Sequence, residues 1–503
     1  MTLIPISLPS GMYRNGTPYA SGSRWSDGNL IRWHDGSLRP IGGWDRLKGV
    51  DEATDVAALT ITPSTETYRD MLSYADNTGS KWVALGSNAA LKVLKPDLTV
   101  ADITPAGFSA GSNMVTQTYG YGIGPYGIGP YGISSPSGLT ETVPVQRWRM
   151  DTWGENIVAC VPGIGPIYES APGMQAVALS NAPTDVEDII VTDQRILMAI
   201  SNDPELRTVI WSDRENNNEW TPTETNYAGS QRLKGDGSLI GEYSFLGGVL
   251  ILSQTDAHIA RYVGAPYVYG FTQVGEKCGP VSKFAVAETD RFVMWMGRRN
   301  FWMYDGTLKP VPCEVMDFLA KDFDRTNQSK INAVVNAEYG EIWWYYQSTD
   351  ADEVDSYVAF NYWGGFWFTG KLARTACIDR GVVTNQLRID PDGLIWKHEL
   401  DGVQVDGYAI TGPLELGNGD ENMALRYVFI DSESTDGVSF TFSCRSLPTA
   451  ADRTFGPFAY NNPLAISGVM GREIRMRIDG IANDWEIGPK MRFDIDEMDG
   501  GFR

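Results

Sequence analysis

A short apolar run, a polar turn of two to six residues and a second apolar run recur along this chain of 503 residues. That pattern restricts the fold more than any other feature, because turn residues between two strand-like runs are the signature of an antiparallel hairpin. Five pairs follow it, 82–85 with 90–94, 157–161 with 166–168, 189–192 with 195–200, 249–253 with 258–262, and 292–296 with 301–304, and a sixth, 342–346 with 357–362, does so across a longer turn. A further run at 394–397 closes the series. Hairpins at irregular intervals of several tens of residues fit the four-stranded blades of a β-propeller, which run about 40 to 50 residues each. A series of β-sandwiches or a β-solenoid would also produce hairpins, and no WD or kelch signature decides between them. The expected fold class is all-β, a β-propeller with an appended small C-terminal β module.

The chain is expected to divide into an N-terminal segment at 1–24, a propeller at 25–415 and a sandwich-like module at 421–503. The last begins where the pattern changes to strand-like runs at 427–430, 439–444, 473–478 and 491–495, after a linker candidate, GNGD, at 417–420. One helix is expected: Pro310 and Pro312 precede Val315, Phe318, Leu319 and Phe323 at helical spacing, and it should pack on a sheet edge. In 31–44, Gly36 suits a hairpin turn, Gly42 and Gly43 permit close backbone approach, and Trp33 and Trp44 supply buried area. The run MWMGRRNFWMYDG at 294–306 reads as a blade's inner hairpin around a turn at 297–300.

A low-complexity insert at 119–134 repeats YGIGP. Such Gly and Pro density sustains neither a helix nor a central strand, so a projecting loop is expected. Tyr121, Tyr126 and Tyr131 are evenly spaced on it and offer amphipathic surface to a partner, unless the insert is only a linker. Gly122, Gly124 and Gly127 match GxGxxG, but the match arises from the repeat, holds Pro125 and lacks a following amphipathic helix. No phosphate-binding GxxxxGK[ST] exists.

Catalytic and metal chemistry find little support. His34, His258 and His398 are far apart and read as structural. Acidic groups at Asp350, Asp352 and Asp355, and at Asp494, Asp496 and Asp499, read as solvated turns rather than calcium sites. The stretch WSDRENNNEW at 211–220 faintly suggests a sialidase Asp-box but lacks the turn glycine. No catalytic residue, cofactor or metal is assigned, and the chain is expected not to be an enzyme.

Cys160, Cys278, Cys313, Cys377 and Cys444 are odd in number and without CxxC spacing, which points to reduced core thiols. The opening MTLIPISLPSG has neither the basic region nor the apolar stretch of a signal peptide, and no run reaches the roughly 18 apolar residues of a membrane span. Assembly in a cytoplasm is expected. A formal charge of -22 leaves few cations for phosphate contacts, so this surface should not grip DNA. The excess acid would serve either a low-adhesion wall for moving DNA or plain solubility.

Three stretches resemble the tail hub or nozzle proteins of short-tailed bacteriophages: GMYRNGTPYASGSRWSDGNLIRWHDGSLRPIGGW at 11–44, VIWSDRENNNEWTP at 209–222 with NYAGSQRL at 226–233, and the segment from ARYVGAPYVYG to CEVMDFL at 260–319. The resemblance implies a virion structural protein in the viral tail. It implies a β-propeller protomer and a homo-oligomer, a ring commonly of six copies below the portal-adaptor proteins. It also implies contacts with tail fibres or spikes and a lumen for DNA ejection. The YGIGP insert has no place in the family pattern. The competing expectations are a glycan-binding or glycan-cleaving propeller with two carboxylates about 5 to 9.5 Å apart, and an adhesion subunit with exposed aromatics on its distal rim.

Overall fold

All six hairpins form, and each lies inside a four-stranded antiparallel meander. The computed structural model describes residues 2–48, 66–119, 140–201, 207–415, 422–433, 437–446, 450–481 and 484–498. Among them are seven such sheets, spanning 68–102, 149–178, 186–232, 239–276, 286–311, 332–371 and 376–400, here blades 1 to 7. Their first strands contact one another in order around a circle, and that of blade 7 returns to that of blade 1. The chain is therefore a β-propeller.

Blade 7 takes its outer strand from the other end of the chain. Gly43–Arg46 pairs antiparallel with Ile395–Leu400, setting Arg46 opposite Trp396 and Gly43 opposite Leu400. Closing the circle with a strand from early in the sequence removes the open edge that would otherwise invite aggregation. Both glycines are required there. A Cβ on Gly42 would lie 2.5 Å from a Glu399 carboxylate oxygen, and one on Gly43 would lie 2.4 Å from the Val403 carbonyl.

Apolar side chains of neighbouring blades interdigitate, so the propeller has a core at each junction rather than one at its centre. Tyr74, Leu91 and Val93 of blade 1 meet Ile157 and Ala159 of blade 2. The same holds between blades 2 and 3, 3 and 4, 4 and 5, and 7 and 1. Blades 5 and 6 differ: Met294, Phe301, Trp343, Trp344 and Trp367 belong to a much larger core that continues into a second module.

That module is a β-sandwich built from both chain ends. Its seven-stranded sheet combines Thr2–Ser7, Ile31–His34 and Ser37–Pro40 with Asn422–Ser432, Leu464–Ala465, Met470–Gly471 and Ile487–Met498. Its six-stranded sheet combines Trp25–Asn29 with Gly407–Thr411, Leu414–Glu415, Val438–Arg445, Arg453–Ala459 and Glu473–Gly480. Val438–Arg445 alternates buried and half-buried residues along its length, as a strand with one core face should.

Three expectations need correction. Residues 25–40 and 407–415 lie in the sandwich and not in the propeller, which begins with Gly43–Arg46. An alternating pattern says that a segment is a strand, but only its pairing edge says to which sheet it belongs. The chain accordingly crosses between modules after Leu400, ahead of the GNGD candidate, which lies outside the described residues. The 294–306 hairpin forms the two middle strands of blade 5, and Val286–Glu288 is the inner one.

The expected helix is Met316–Asp322, with Val315, Leu319 and Phe323 buried in the shared core and Phe318 beneath the Arg14 guanidinium at 3.4 Å. Asp35 and Gly36 both have positive φ and make the tight turn opposite His34 and Ser37, as the Asp-Gly pair requires. The five cysteines are unpaired, and Cys160, Cys278, Cys377 and Cys444 are buried. No helix among the described residues is long and apolar enough to cross a membrane.

Candidate functional site

The axis of a propeller is where its inner strands converge and where a concave site would form. Here the inner strands bring charged side chains to that axis from several blades. Each cation meets a carboxylate supplied by a different blade or by the lead-in to one. Arg147, just ahead of blade 2, donates to Asp70 of blade 1 at 2.6 Å and 3.0 Å. It also donates to the carbonyls of Arg69 at 2.8 Å and Ile331 at 2.7 Å, and stacks on Phe284 at 3.4 Å. Arg149 of blade 2 donates to Asp188 of blade 3 at 2.6 Å and to the Glu242 carbonyl of blade 4 at 3.0 Å. Lys283, ahead of blade 5, reaches Glu187 of blade 3 at 2.5 Å. Arg69 of blade 1 forms a two-pronged pair with Glu353 of blade 6 at 2.9 and 2.7 Å, and Lys330 stands 3.4 Å from the same carboxylate.

Among the described residues, a cavity of about 150 Å³ opens here, lined among others by Arg69, Arg147, Arg149, Lys283, Phe284 and Cys377. It is a space for waters. Four cations line it, yet every one is matched by a carboxylate, so the arrangement is a set of ties between blades. Glu242 is the exception to pairing: it is fully buried and neither carboxyl oxygen has a hydrogen-bond partner. Burial, reinforced by Asp188, holds its proton well above the usual carboxylate range, and a neutral acid is what such a position tolerates.

Glu353 behaves oppositely. Burial pushes its carboxyl up, but Arg69 and Lys330 outweigh burial and hold it at about 2. A carboxylate depressed from 4.5 to about 2 stabilises the fold above its unfolded value and loses that contribution as pH falls toward 2. In acid titration of the wild type, Glu353 should therefore contribute a loss of about 3 kcal/mol between these limits. Glu353→Gln should be less stable at neutral pH and lose correspondingly less over the same interval, in urea melts at stepped pH, where the remaining slope belongs to other depressed carboxylates such as Asp76 and Glu399. An acid limb that survives the substitution unchanged would refute this assignment.

The tyrosines expected to meet a partner, Tyr121, Tyr126 and Tyr131, lie outside the described residues, as do Gly122, Gly124 and Gly127. The described flanks, Thr116–Tyr119 and Thr140–Val143, pair antiparallel between blades 1 and 2. The WSDRENNNEW stretch runs from the third strand of blade 3 into the turn toward its fourth. Asp213 accepts the Arg214 and Tyr227 amides at 2.8 Å each, bracing that turn, and Glu215 takes the positive φ of 57° where a glycine was missing.

The histidines are not brought together. His398 is buried, accepts the Arg374 Nε proton at 2.9 Å and stacks on Trp44 at 5.3 Å. Burial and two neighbouring arginines keep it neutral. Asp355 accepts the Ser348 amide and hydroxyl at 2.9 Å each, and Asp496 pairs with Arg426. Among the described residues no group of three His, Cys, Asp or Glu could hold a metal ion.

Two features escaped the sequence reading. One was legible: the spacing DxxGxxW occurs at Asp76, Gly79, Trp82 and again at Asp390, Gly393, Trp396. In both, the glycine has φ of 81° and the aspartate accepts the indole N–H, at 3.0 and 2.7 Å. In both it also accepts backbone amides of the turn, from Thr78 and Ser80 in one and from Leu394 in the other. The other feature had no sequence signal. Arg32 of the sandwich inserts between Glu341 of blade 6 and Glu399 of blade 7, all three almost wholly buried.

No family model matches the chain, and no curated protein matches it. Among solved structures it is similar to YCF48 from Cyanidioschyzon merolae, at 7% identity and a TM-score of 0.40 over 71% of this chain and 99% of that one. BamB from Moraxella catarrhalis gives 10% identity and a TM-score of 0.37 over 79% of this chain and 98% of that one. A catalytically inactive virginiamycin B lyase from Staphylococcus aureus, with quinupristin, gives 8% and 0.38 over 70% and 98%. The likeness is one of chain arrangement alone.

Proposed function

We propose that this chain is a structural subunit of a short-tailed bacteriophage tail, of the nozzle or hub kind. In this reading it assembles with copies of itself into a ring below the portal and adaptor and docks fibres or spikes. The genome leaves through the lumen of that ring, and no bond is made or broken.

The observation that carries the reading is the filled axis. Ion pairs tie the blades together where a ligand would otherwise enter, so the chain offers its partners an outer surface and a rigid shape. A passage for a DNA duplex would then run between copies and not through one. The surface suits that use, since a charge of -22 gives a passing polyanion few cations on which to lodge. The stretches that resemble nozzle proteins also hold the architecture: 11–44 ends in the strand that closes the circle, and 260–319 spans the junction of blades 4 and 5 and the helix.

Electron microscopy of the purified chain, and of virions labelled with an antibody against it, tests the proposal. The expected result is a closed ring with an open lumen, and label at the tail on the genome exit path. Label elsewhere on the particle, or turnover of a glycan by the purified chain, would count against it.

A further inference from the structure

Trp363 is 62% exposed, at the turn between the third and fourth strands of blade 6. An indole so exposed is usually mobile, but this one is mounted. Asn361 Oδ1 accepts the amides of Trp363 at 3.1 Å and Gly364 at 2.8 Å, and Asn361 Nδ2 donates to the Tyr339 carbonyl at 3.0 Å. The ring lies over Gly340, which has φ of +65° and where a Cβ would come within 2.3 Å of it. Tyr362 backs it at 6.0 Å and is itself set edge-on to Phe292 at 5.3 Å. Rigid exposed aromatics of this kind are the anchors of protein interfaces. Asp290 and Asp379 act on the Tyr362 that backs it, opposed by Arg291, and Glu338, two residues before Gly340, is paired with Arg380 at 2.5 Å, so acid is in excess on this side.

A groove of about 680 Å³ lies on the seven-stranded sheet of the sandwich, lined by Leu3, Pro5 and Phe429 together with Lys490, Arg492 and Asp431. Leu3 is 47% exposed and Phe429 38%. The register explains the patch, since Pro5, Arg492 and Phe429 lie in one row across three strands, all facing outward. Its charge is opposite in sign to the chain as a whole, with Lys490 and Arg492 against one aspartate on a surface of net -22. A large apolar hollow with a cationic lining fits a large aromatic side chain carried among carboxylates.

We infer that Trp363 of one copy seats in the Leu3–Phe429 groove of a second copy, with Arg492 and Lys490 facing the acids on the tryptophan's side. Knob and groove are different surfaces of the same chain, so the contact is heterologous and propagates from copy to copy until rotation closes it. The inference rests on the ring reading above and gives that ring its repeating joint.

Sedimentation velocity and light scattering of the full chain test it, with two exposed substitutions, Trp363→Ala and Phe429→Asp. Both variants are expected to melt as the wild type does. Each is expected to weaken self-association on the order of thirtyfold or more, the effect of losing an interface anchor. Their mixture is the decisive arm. The Trp363→Ala copy keeps its groove and the Phe429→Asp copy keeps its knob, so together they should form a one-to-one dimer that neither forms alone and that grows no further. Wild-type assembly in either variant, which would leave the groove to another partner, overturns the inference, as does a mixture that stays monomeric. A wild-type chain that is monomeric in solution yet labels the tail would sink this joint and leave the tail assignment standing.

Discussion

Removal of residues 1–46 is expected to abolish folding of both modules, although the first three strands of blade 7 and every strand of blades 1 to 6 lie beyond the deletion. The deleted segment supplies the outer strand of blade 7 and four strands of the sandwich, Thr2–Ser7, Trp25–Asn29, Ile31–His34 and Ser37–Pro40. It carries Leu8, Met12, Trp25, Trp33 and Leu38 out of the shared core, and all of these are almost fully buried. Without it, Ile395–Leu400 would present an open edge and the sandwich an uncovered apolar face, both templates for aggregation. The expected readout is insoluble protein, or soluble protein without a cooperative melt. A gentler form is Gly43→Ala, which forces a methyl against the Val403 carbonyl and should cost about 1–3 kcal/mol in urea unfolding. A truncated chain that melts like the wild type would show that the circle closes without this strand.

Replacement of Arg32 by alanine is expected to cost about 3–5 kcal/mol, because it leaves two buried carboxylates without their cation. Arg32 donates to Glu341 at 3.1 and 2.9 Å and to Glu399 at 2.7 Å twice, and its guanidinium lies over the Tyr339 ring at 3.7 Å. The carboxylates are also held by Trp343 Nε1 on Glu341 at 2.9 Å and by Asn336 and the Gly42 amide on Glu399 at 3.1 Å each. Burial pushes both acids up, and Arg32 pulls both down. Glu399 ends below its ordinary value and Glu341 above it, as expected when one cation serves two acids. The comparison that isolates the charge effect is Arg32→Met combined with Glu341→Gln and Glu399→Gln, which should recover most of the loss in urea melts. If Arg32→Ala alone stays within 1 kcal/mol of wild type, roughly the scale of an exposed pair, the ion cluster is not what fastens the sandwich to the propeller.

Much of this was readable from local signals. One hairpin in each of blades 1 to 6 announced itself because alternation and turn residues act over a few positions. Asp35 and Gly36 specified their own tight turn. Gly42 and Gly43 pointed to close approach, although not to Glu399 and Val403 as the neighbours approached. The candidate site was nearly invisible. Arg69, Asp70, Arg147, Arg149 and Asp188 look in sequence like the polar positions of ordinary strands, and only closure of the circle sets them against one another. Arg32 and Glu341 are 309 residues apart, and no spacing rule operates over such a distance.

The chain's own residues determined that it is built of antiparallel strands, where the turns fall and which runs pair as hairpins, since backbone propensity and alternation are properties of neighbours. Tertiary structure decided the partner of each remaining edge: that 43–46 completes blade 7, that 25–40 and 407–415 leave the propeller for the sandwich, and that charges from separate blades meet at the axis. A strand carries the same pattern whichever edge it joins. The choice of edge is made by closure and by burial shared among segments hundreds of residues apart, and neither is written in any single stretch of chain.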